Sequence, residues 1–266
     1  MEKVVLITGA SAGIGRACAD RLCQGGWKVF GASRRGISPG GWTPMVMDVD
    51  SDTSVASGFD TMLAQEERLD AVVACAGWGL AGAVEQTPIA DARDQLETNF
   101  WGTVRVVQHA LPVMRLQQRG RIVLVSSIGG IVGIPFQAFY SASKFAMEGY
   151  GEALAYEVAP FNIEVTMVEP GNVKTEFTGS RRDVVAPEGE HAYDAAVAKA
   201  VGTMTDDEAN GVEADVVAAA IQRALEAKRP PRRMSVGKID ERVGIIGKRL
   251  LPYRLFEKAA KGSLGV

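Results

Sequence analysis

Tyr140 stands four residues before Lys144, so on a helix the two side chains share one face and an ammonium can sit beside a phenol. A free phenol ionises near pH ~10, and a neighbouring cation favours the phenolate, which moves the group toward use as a general acid or base. Ser127, at the end of an apolar run upstream, offers a hydroxyl that can hydrogen-bond a substrate oxygen as negative charge grows on it. Ser126 competes for that place. Successive strand side chains point to opposite faces, so one of the two serines should reach the site. Near the start of the chain, Thr8-Gly9-Ala10-Ser11-Ala12-Gly13-Ile14-Gly15 separates an apolar run from a helical pattern. Glycines there let the backbone turn sharply, while the unpaired amides and positive dipole end of the helix favour an anion such as a diphosphate.

These residues need a scaffold, and the hydrophobic pattern supplies one. Short runs rich in Val, Ile and Leu predict strands over Val4 to Thr8, Trp27 to Ala32, Pro44 to Met47, Leu69 to Cys75, Arg121 to Ser126, Ile163 to Val168 and Arg233 to Val236. Helical periods fall between them over Ile14 to Gln24, Ser54 to Gln65, Ala92 to Gln117, Ser141 to Val158 and Glu213 to Ala227. The alternation predicts an α/β fold: one doubly wound domain over 1–266, a parallel sheet of about seven strands with helices on both faces. Ligands of such sheets bind at the carboxyl ends of the strands. Residues 176–212, charge-rich with Gly and Pro, read as an irregular insertion covering that edge.

Composition narrows the chemistry. The net charge of −3 gives no chain-wide positive field for phosphate backbones, so nucleic acid is not expected as a partner. Three cysteines in or beside apolar runs and two histidines offer no metal-ligand spacing; the expectation is buried thiols in a reducing cytoplasm and no metal. The start of the chain enters an apolar run without the marks of an export signal, and no apolar run approaches the ~20 residues that span a bilayer. From Lys228 onward, eleven Lys or Arg stand against three Asp or Glu. In 238–266 they interleave with Val243, Ile245, Ile246, Leu250, Leu251, Leu255 and Phe256 around Pro252, a basic amphipathic segment. Packing on the protein's own core or a sister subunit is the simpler reading, and contact with a membrane surface the alternative.

The Gly-x-x-x-Gly-x-Gly spacing begins a longer ordered set. Asp48 follows the third strand, Ala76-Gly77 the fourth, Asn99 lies in a long helix, Ser127 ends the fifth strand, Tyr140-Ser-Ala-Ser-Lys144 opens the next helix, and Pro170-Gly-Asn-Val-Lys-Thr175 follows the sixth strand. This set resembles the short-chain dehydrogenase/reductase family, closely over roughly residues 1–180 and loosely beyond, and the stretch from Ser127 to Glu148 is similar to steroid- and retinoid-acting members. The resemblance implies an oxidoreductase interconverting a carbonyl with an alcohol, a hydride passing between nicotinamide and the substrate carbon. Tyr140 would exchange the oxygen's proton, Ser127 rather than Ser126 would hold that oxygen, Lys144 would bind the nicotinamide ribose and tune Tyr140, and Asn99 would bind a water linking Lys144 to solvent. The cofactor site implied comprises Gly9, Ser11, Ala12, Gly13, Ile14, Gly15, Ser33, Arg34, Asp48, Val49, Ala76, Gly77, Tyr140, Lys144, Pro170, Gly171, Val173 and Thr175. A homodimer or homotetramer is the family's habit. One departure is Ala74-Cys75 where the family usually has two asparagines, which predicts a missing brace in the sheet.

Two finer expectations concern specificity. The second strand ends Ser33-Arg34-Arg35 with no acidic residue to accept from both ribose hydroxyls, so NADP(H) is expected over NAD(H). The apolar stretch Ile128 to Phe139, with Trp78, predicts a hydrophobic small-molecule substrate bordered by Trp78, Ser127, Phe136 and Tyr140. The competing function is a non-catalytic nucleotide sensor on the same fold; such proteins generally lose the Tyr or Lys present here. A nucleotide-sugar epimerase would usually show other glycine spacing and a longer substrate region.

Overall fold

The computed structural model describes residues 2–185, 188–189 and 191–264. Met1, then Ala186, Pro187 and Glu190 of the expected insertion, and Gly265 and Val266 of the basic segment, lie outside the described residues. In chain order the strands are β1 (Lys3–Thr8), β2 (Trp27–Ser33), β3 (Thr43–Val46), β4 (Ala71–Ala74), β5 (Leu80–Ala81), β6 (Gly120–Val125), β7 (Ile163–Pro170), β8 (Val173–Lys174), β9 (Arg182–Asp183), β10 (Val212–Glu213) and β11 (Arg233–Val236). The helices are α1 (Gly13–Gln24), α2 (Asp52–Gln65), α3 (Ile89–Leu96), α4 (Gly102–Gln117), α5 (Ala138–Val158), α6 (Phe177–Ser180), α7 (Asp194–Ala209), α8 (Ala214–Glu226), α9 (Ile239–Leu250) and α10 (Tyr253–Leu264).

Seven strands form one parallel sheet in the order β11-β7-β6-β4-β1-β2-β3. The apolar runs Val4-Val5-Leu6-Ile7 and Ala71-Val72-Val73-Ala74 are buried on both faces, as a sheet covered by helices on either side demands. Cys18, Ala19 and Leu22 of α1 with Val217, Ala218 and Ile221 of α8 pack one face; Val55, Phe59 and Met62 of α2, Val106 and Met114 of α4, and Met147 and Leu154 of α5 pack the other. The expected fold class is therefore the observed one. Strand order reverses between β1 and β4, so the carboxyl ends of these strands open the crevice where ligands of such sheets bind.

Two expectations about elements fail for local reasons. The helix expected over Ala92 to Gln117 is broken by a π-helical turn at Glu97–Trp101 between α3 and α4. Such wide turns insert a residue into the helical ladder and often mark functional sites; here the turn carries Asn99. The insertion expected to be irregular holds the sixteen-residue α7. Its Ala200 and Met204 are buried while Asp194, Asp206 and Asp207 face outward, an amphipathic helix whose charges resemble loop composition. The basic C-terminal segment forms α9 and α10 with Pro252 between them, where a missing amide donor and fixed φ end helices. Of α9, Ile245 is buried and Lys248 reaches the Ile131 carbonyl, while Val243, Ile246 and Leu250 remain exposed.

Candidate active site

The glycine turn after β1 is shaped by close approach. Gly9 and Gly13 have φ of +69° and +51°, a region that side chains rarely adopt. A Cβ on Gly9 would lie 3.0 Å from the Ala76 backbone, and one on Gly15 only 2.4 Å from the Gly9 carbonyl oxygen. The missing brace after β4 is supplied otherwise than expected: the Cys75 and Ala76 amides both donate to Thr8 Oγ1, at 3.0 and 3.1 Å. The hydroxyl at the end of β1 does what the absent asparagines were expected to do, so the departure at Ala74-Cys75 leaves these two amides satisfied.

At the C-terminal ends of the strands lies a cleft of about 880 Å³. It runs from Ser33, Arg34 and Arg35 past the glycine turn, Asp48, Val49, Ala76 and Gly77 to Ser127, Tyr140 and Lys144, and is closed by Pro170, Gly171, Val173 and Thr175. Trp78 also borders it. Phe136 does not: φ of +59° turns it away, its carbonyl accepts from the Gly82 amide at 2.8 Å, and Ile134 and Gln137 line the cleft instead.

The reactive end is assembled from β6, its following turn and α5. Ser127 Oγ accepts from the Gly129 amide at 3.0 Å and hydrogen-bonds Tyr140. Ser126 Oγ instead lies against Gly130, on the side of the Glu148 carboxyl. Lys144 Nζ donates to the Val125 carbonyl at 2.9 Å and sits 5.9 Å from the centre of the Tyr140 ring. The electrostatics differ from the expectation that Lys144 draws the phenol down. Burial dominates both groups: it pushes Tyr140 up to about 12, with Ser127 opposing and the Glu208 carboxylate adding, and it pulls Lys144 down to about 8, with Glu148 among the groups opposing.

Asn99 is fully buried, and its amide clamps the segment after β4. Its Oδ1 accepts from the Trp78 amide at 3.0 Å, while Nδ2 donates to the Trp78 carbonyl at 3.0 Å and to Ser143 Oγ at 3.2 Å. A Cβ on Gly77 would lie 3.0 Å from Asn99 Oδ1 and 3.8 Å from Lys144 Nζ, so Gly77 is the spacer that lets these groups approach. At the opposite end, Arg35 Nη2 donates to Ser11 Oγ at 2.8 Å and to the Ser11 carbonyl at 3.3 Å, and the Gly36 amide donates to Ser33 Oγ at 3.2 Å.

The family model for short chain dehydrogenase matches residues 3–186. The chain belongs to this family. It is 37% identical to 3-ketodihydrosphingosine reductase of Bacteroides thetaiotaomicron, over 97% of each chain, and 38% identical to bovine retinol dehydrogenase 8, over 69% of this chain and 63% of that one. Among solved structures, a short-chain dehydrogenase of Streptomyces avermitilis superposes with a TM-score of 0.83 at 32% identity over 98% of each chain. The protein is thus an oxidoreductase acting on CH–OH donors, on a fold that binds nicotinamide cofactors.

The residues of this dehydrogenase fit such a cofactor. The glycine turn brings backbone to the cleft without Cβ obstruction, and its Gly13 amide already holds an anionic oxygen: it donates to Glu176 Oε2 at 3.0 Å. Glu176, Phe177, Ser180 and Glu208 of the insertion all face the cleft, and none was singled out in the sequence, where they read as loop charges and loop apolars. Glu176 occupies an amide in the expected diphosphate position, so carboxylate and cofactor compete. We therefore expect Glu176→Gln to tighten nicotinamide-cofactor binding by about threefold to tenfold, the scale of one exposed charge-assisted hydrogen bond. Calorimetric titration checks this; unchanged or weaker binding refutes it.

Proposed function

We propose that this enzyme reduces a hydrophobic, long-chain ketone with NADPH, and that 3-ketodihydrosphingosine is the first substrate to try. The observation that carries the reading is one continuous cleft with Arg34 and Arg35 at one end and Ser127, Tyr140 and Lys144 at the other, among Ile128, Ile134, Trp78 and Phe177. The relative's name and its match over nearly the whole chain support the substrate. Arg34 supplies a guanidinium suited to a ribose 2′-phosphate, beside Arg35, which is braced on Ser11.

When bound, the reduced nicotinamide supplies the hydride. The protein's part is to manage the oxygen. Ser127 Oγ holds the carbonyl oxygen and strengthens its grip as charge develops. Tyr140, a protonated phenol by virtue of its burial, delivers the proton. Lys144 secures the ribose and places a positive charge beside the phenol, and Asn99 positions Trp78 and Gly77 against it. The described residues of 176–212 cover the site: β9 pairs with β5, Arg182 lies 4.4 Å over the Trp78 ring, and Tyr193 donates to Glu85 at 2.6 Å. Binding should slow amide exchange in α7; equal protection in the free protein and the ternary complex counts against a cover.

The test is NADPH oxidation, followed at the nicotinamide absorbance, with 3-ketodihydrosphingosine, a steroid ketone, retinal and a polar keto acid. Each buried methylene is worth about 0.8 kcal/mol, so four already favour the long chain by roughly a hundredfold in kcat/KM. A preference for the keto acid would overturn the reading.

A further inference from the structure

Above the reactive end of the cleft sits a carboxylate that the reduction does not require. Glu208, near the C-terminus of α7, lines the cleft together with Phe177, whose ring packs edge-on against Tyr140 at 5.9 Å between centres. The next residue, Thr178, donates to Glu208 Oε2 at 2.5 Å, so the carboxylate is tied to the turn that touches the phenol. Arg181 holds it from behind. Its Nη1 lies 3.3 Å from Oε1 and 3.2 Å from Oε2, its Nη2 donates to Thr205 Oγ1 at 2.8 Å, and its side chain is 4% exposed while that of Glu208 is 13% exposed. Arg181 is not among the residues that face the cleft; Glu208 is.

We propose that Glu208 is the specificity-determining residue of this cleft and receives an amine on the carbon next to the reacting carbonyl, which makes the substrate class α-amino ketones. The proposal rests on the reading of the cleft as the site of long-chain ketone reduction.

Three features support a cation as the occupant. A carboxylate has about four lone-pair directions, and Thr178 with one guanidinium nitrogen leaves some of them free. Arg181 is shared with Asp183, whose Oδ1 lies 3.6 Å from its Nε, so one positive charge serves two carboxylates and the group remains net negative. A partly buried anion gains most from a charged donor, whereas an anionic substrate would meet repulsion. The position also couples recognition to chemistry. The Glu208 charge opposes ionisation of Tyr140, and an ammonium held between them offsets that opposition as the phenol gives up its proton.

The experiment compares 3-ketodihydrosphingosine with the same long-chain ketone carrying hydrogen in place of the amine, in wild type and Glu208→Gln. Glutamine keeps an acceptor for Thr178 and loses the charge. The ratio of the two kcat/KM values should fall by about tenfold to a hundredfold in the variant, the scale of one charge-assisted hydrogen bond. A residue that merely holds α7 in place would affect both ketones alike, so an unchanged ratio overturns the proposal. Calorimetric binding of decylamine and decanol decides independently of turnover. Wild type should hold the amine at least about tenfold tighter, with the preference lost in Glu208→Gln; equal binding of amine and alcohol by wild type also overturns it. Wild type that reduces neither ketone yet prefers the amine would reject the long-chain ketone reading and leave Glu208 as the cation site.

Discussion

Replacing Tyr140 with phenylalanine is expected to lower kcat for carbonyl reduction by about a thousandfold while cofactor binding persists. The phenylalanine ring keeps the contact with Phe177 and fills the same buried volume, so only the proton donor and its hydrogen bond with Ser127 disappear. Near-normal kcat with cofactor still bound would remove Tyr140 from the chemistry. Lys144→Ala should act differently, raising KM for cofactor as well as lowering kcat, since the ammonium is proposed to serve both ribose and phenol. The two buried groups also set a pH dependence. Tyr140, held up to about 12, stays protonated and ready to donate across the working range, whereas Lys144, held down to about 8, is charged below that pH and loses its charge above it. Reduction kcat/KM should therefore be level in acid and fall as pH rises through about 8. Oxidation needs the phenolate and should be slow at neutrality and increase with pH, so the resting electrostatics favour reduction. A reduction profile that rises through pH 8 would contradict this.

What the sequence revealed of this site follows a physical division. That Ser127, Tyr140, Lys144 and the glycine turn meet in one cleft was legible because they are spaced to fall on a strand end, one helix face and one loop, and spacing is a one-dimensional property. The sheet was legible because strands buried on both faces must be apolar throughout. Phe136 was misplaced because its left-handed backbone is not written in any neighbouring residue type. Thr8 could not be found as the partner of the Cys75 and Ala76 amides, since the hydrogen bonds join β1 to the end of β4 across 67 and 68 residues. The same distance problem hid Glu176 and Glu208, whose approach to Gly13 and Tyr140 depends on how the insertion folds back over the strand ends. Their charges looked like solvent-facing loop residues because α7 presents most of its acidic residues outward and turns only Glu208 in.

The proposed preference for NADP(H) should invert when the end of β2 is rewritten. In Ser33→Asp/Arg34→Ala, the ratio of kcat/KM for NADPH over NADH is expected to fall by about a hundredfold to ten-thousandfold, as two charge-assisted hydrogen bonds are lost and a like charge is introduced. Ser33 is buried and its hydroxyl accepts from the Gly36 amide; an aspartate there can keep that turn while directing a carboxylate at the adenosine ribose, where it would accept from both hydroxyls and repel a 2′-phosphate. Arg34 borders the cleft as an exposed side chain free to swing onto the phosphate, whereas Arg35 is fastened to Ser11 and so ties the end of β2 to the glycine turn. Arg34→Ala alone should thus weaken NADPH more than NADH, and Arg35→Ala should weaken both, because the brace it removes shapes the diphosphate end shared by the two cofactors. Steady-state kinetics with each nucleotide reads all three variants. A wild type that favours NADH, or a double variant with an unchanged ratio, would show that the arginines are solvated surface charges and that the 2′ position is read elsewhere in the cleft.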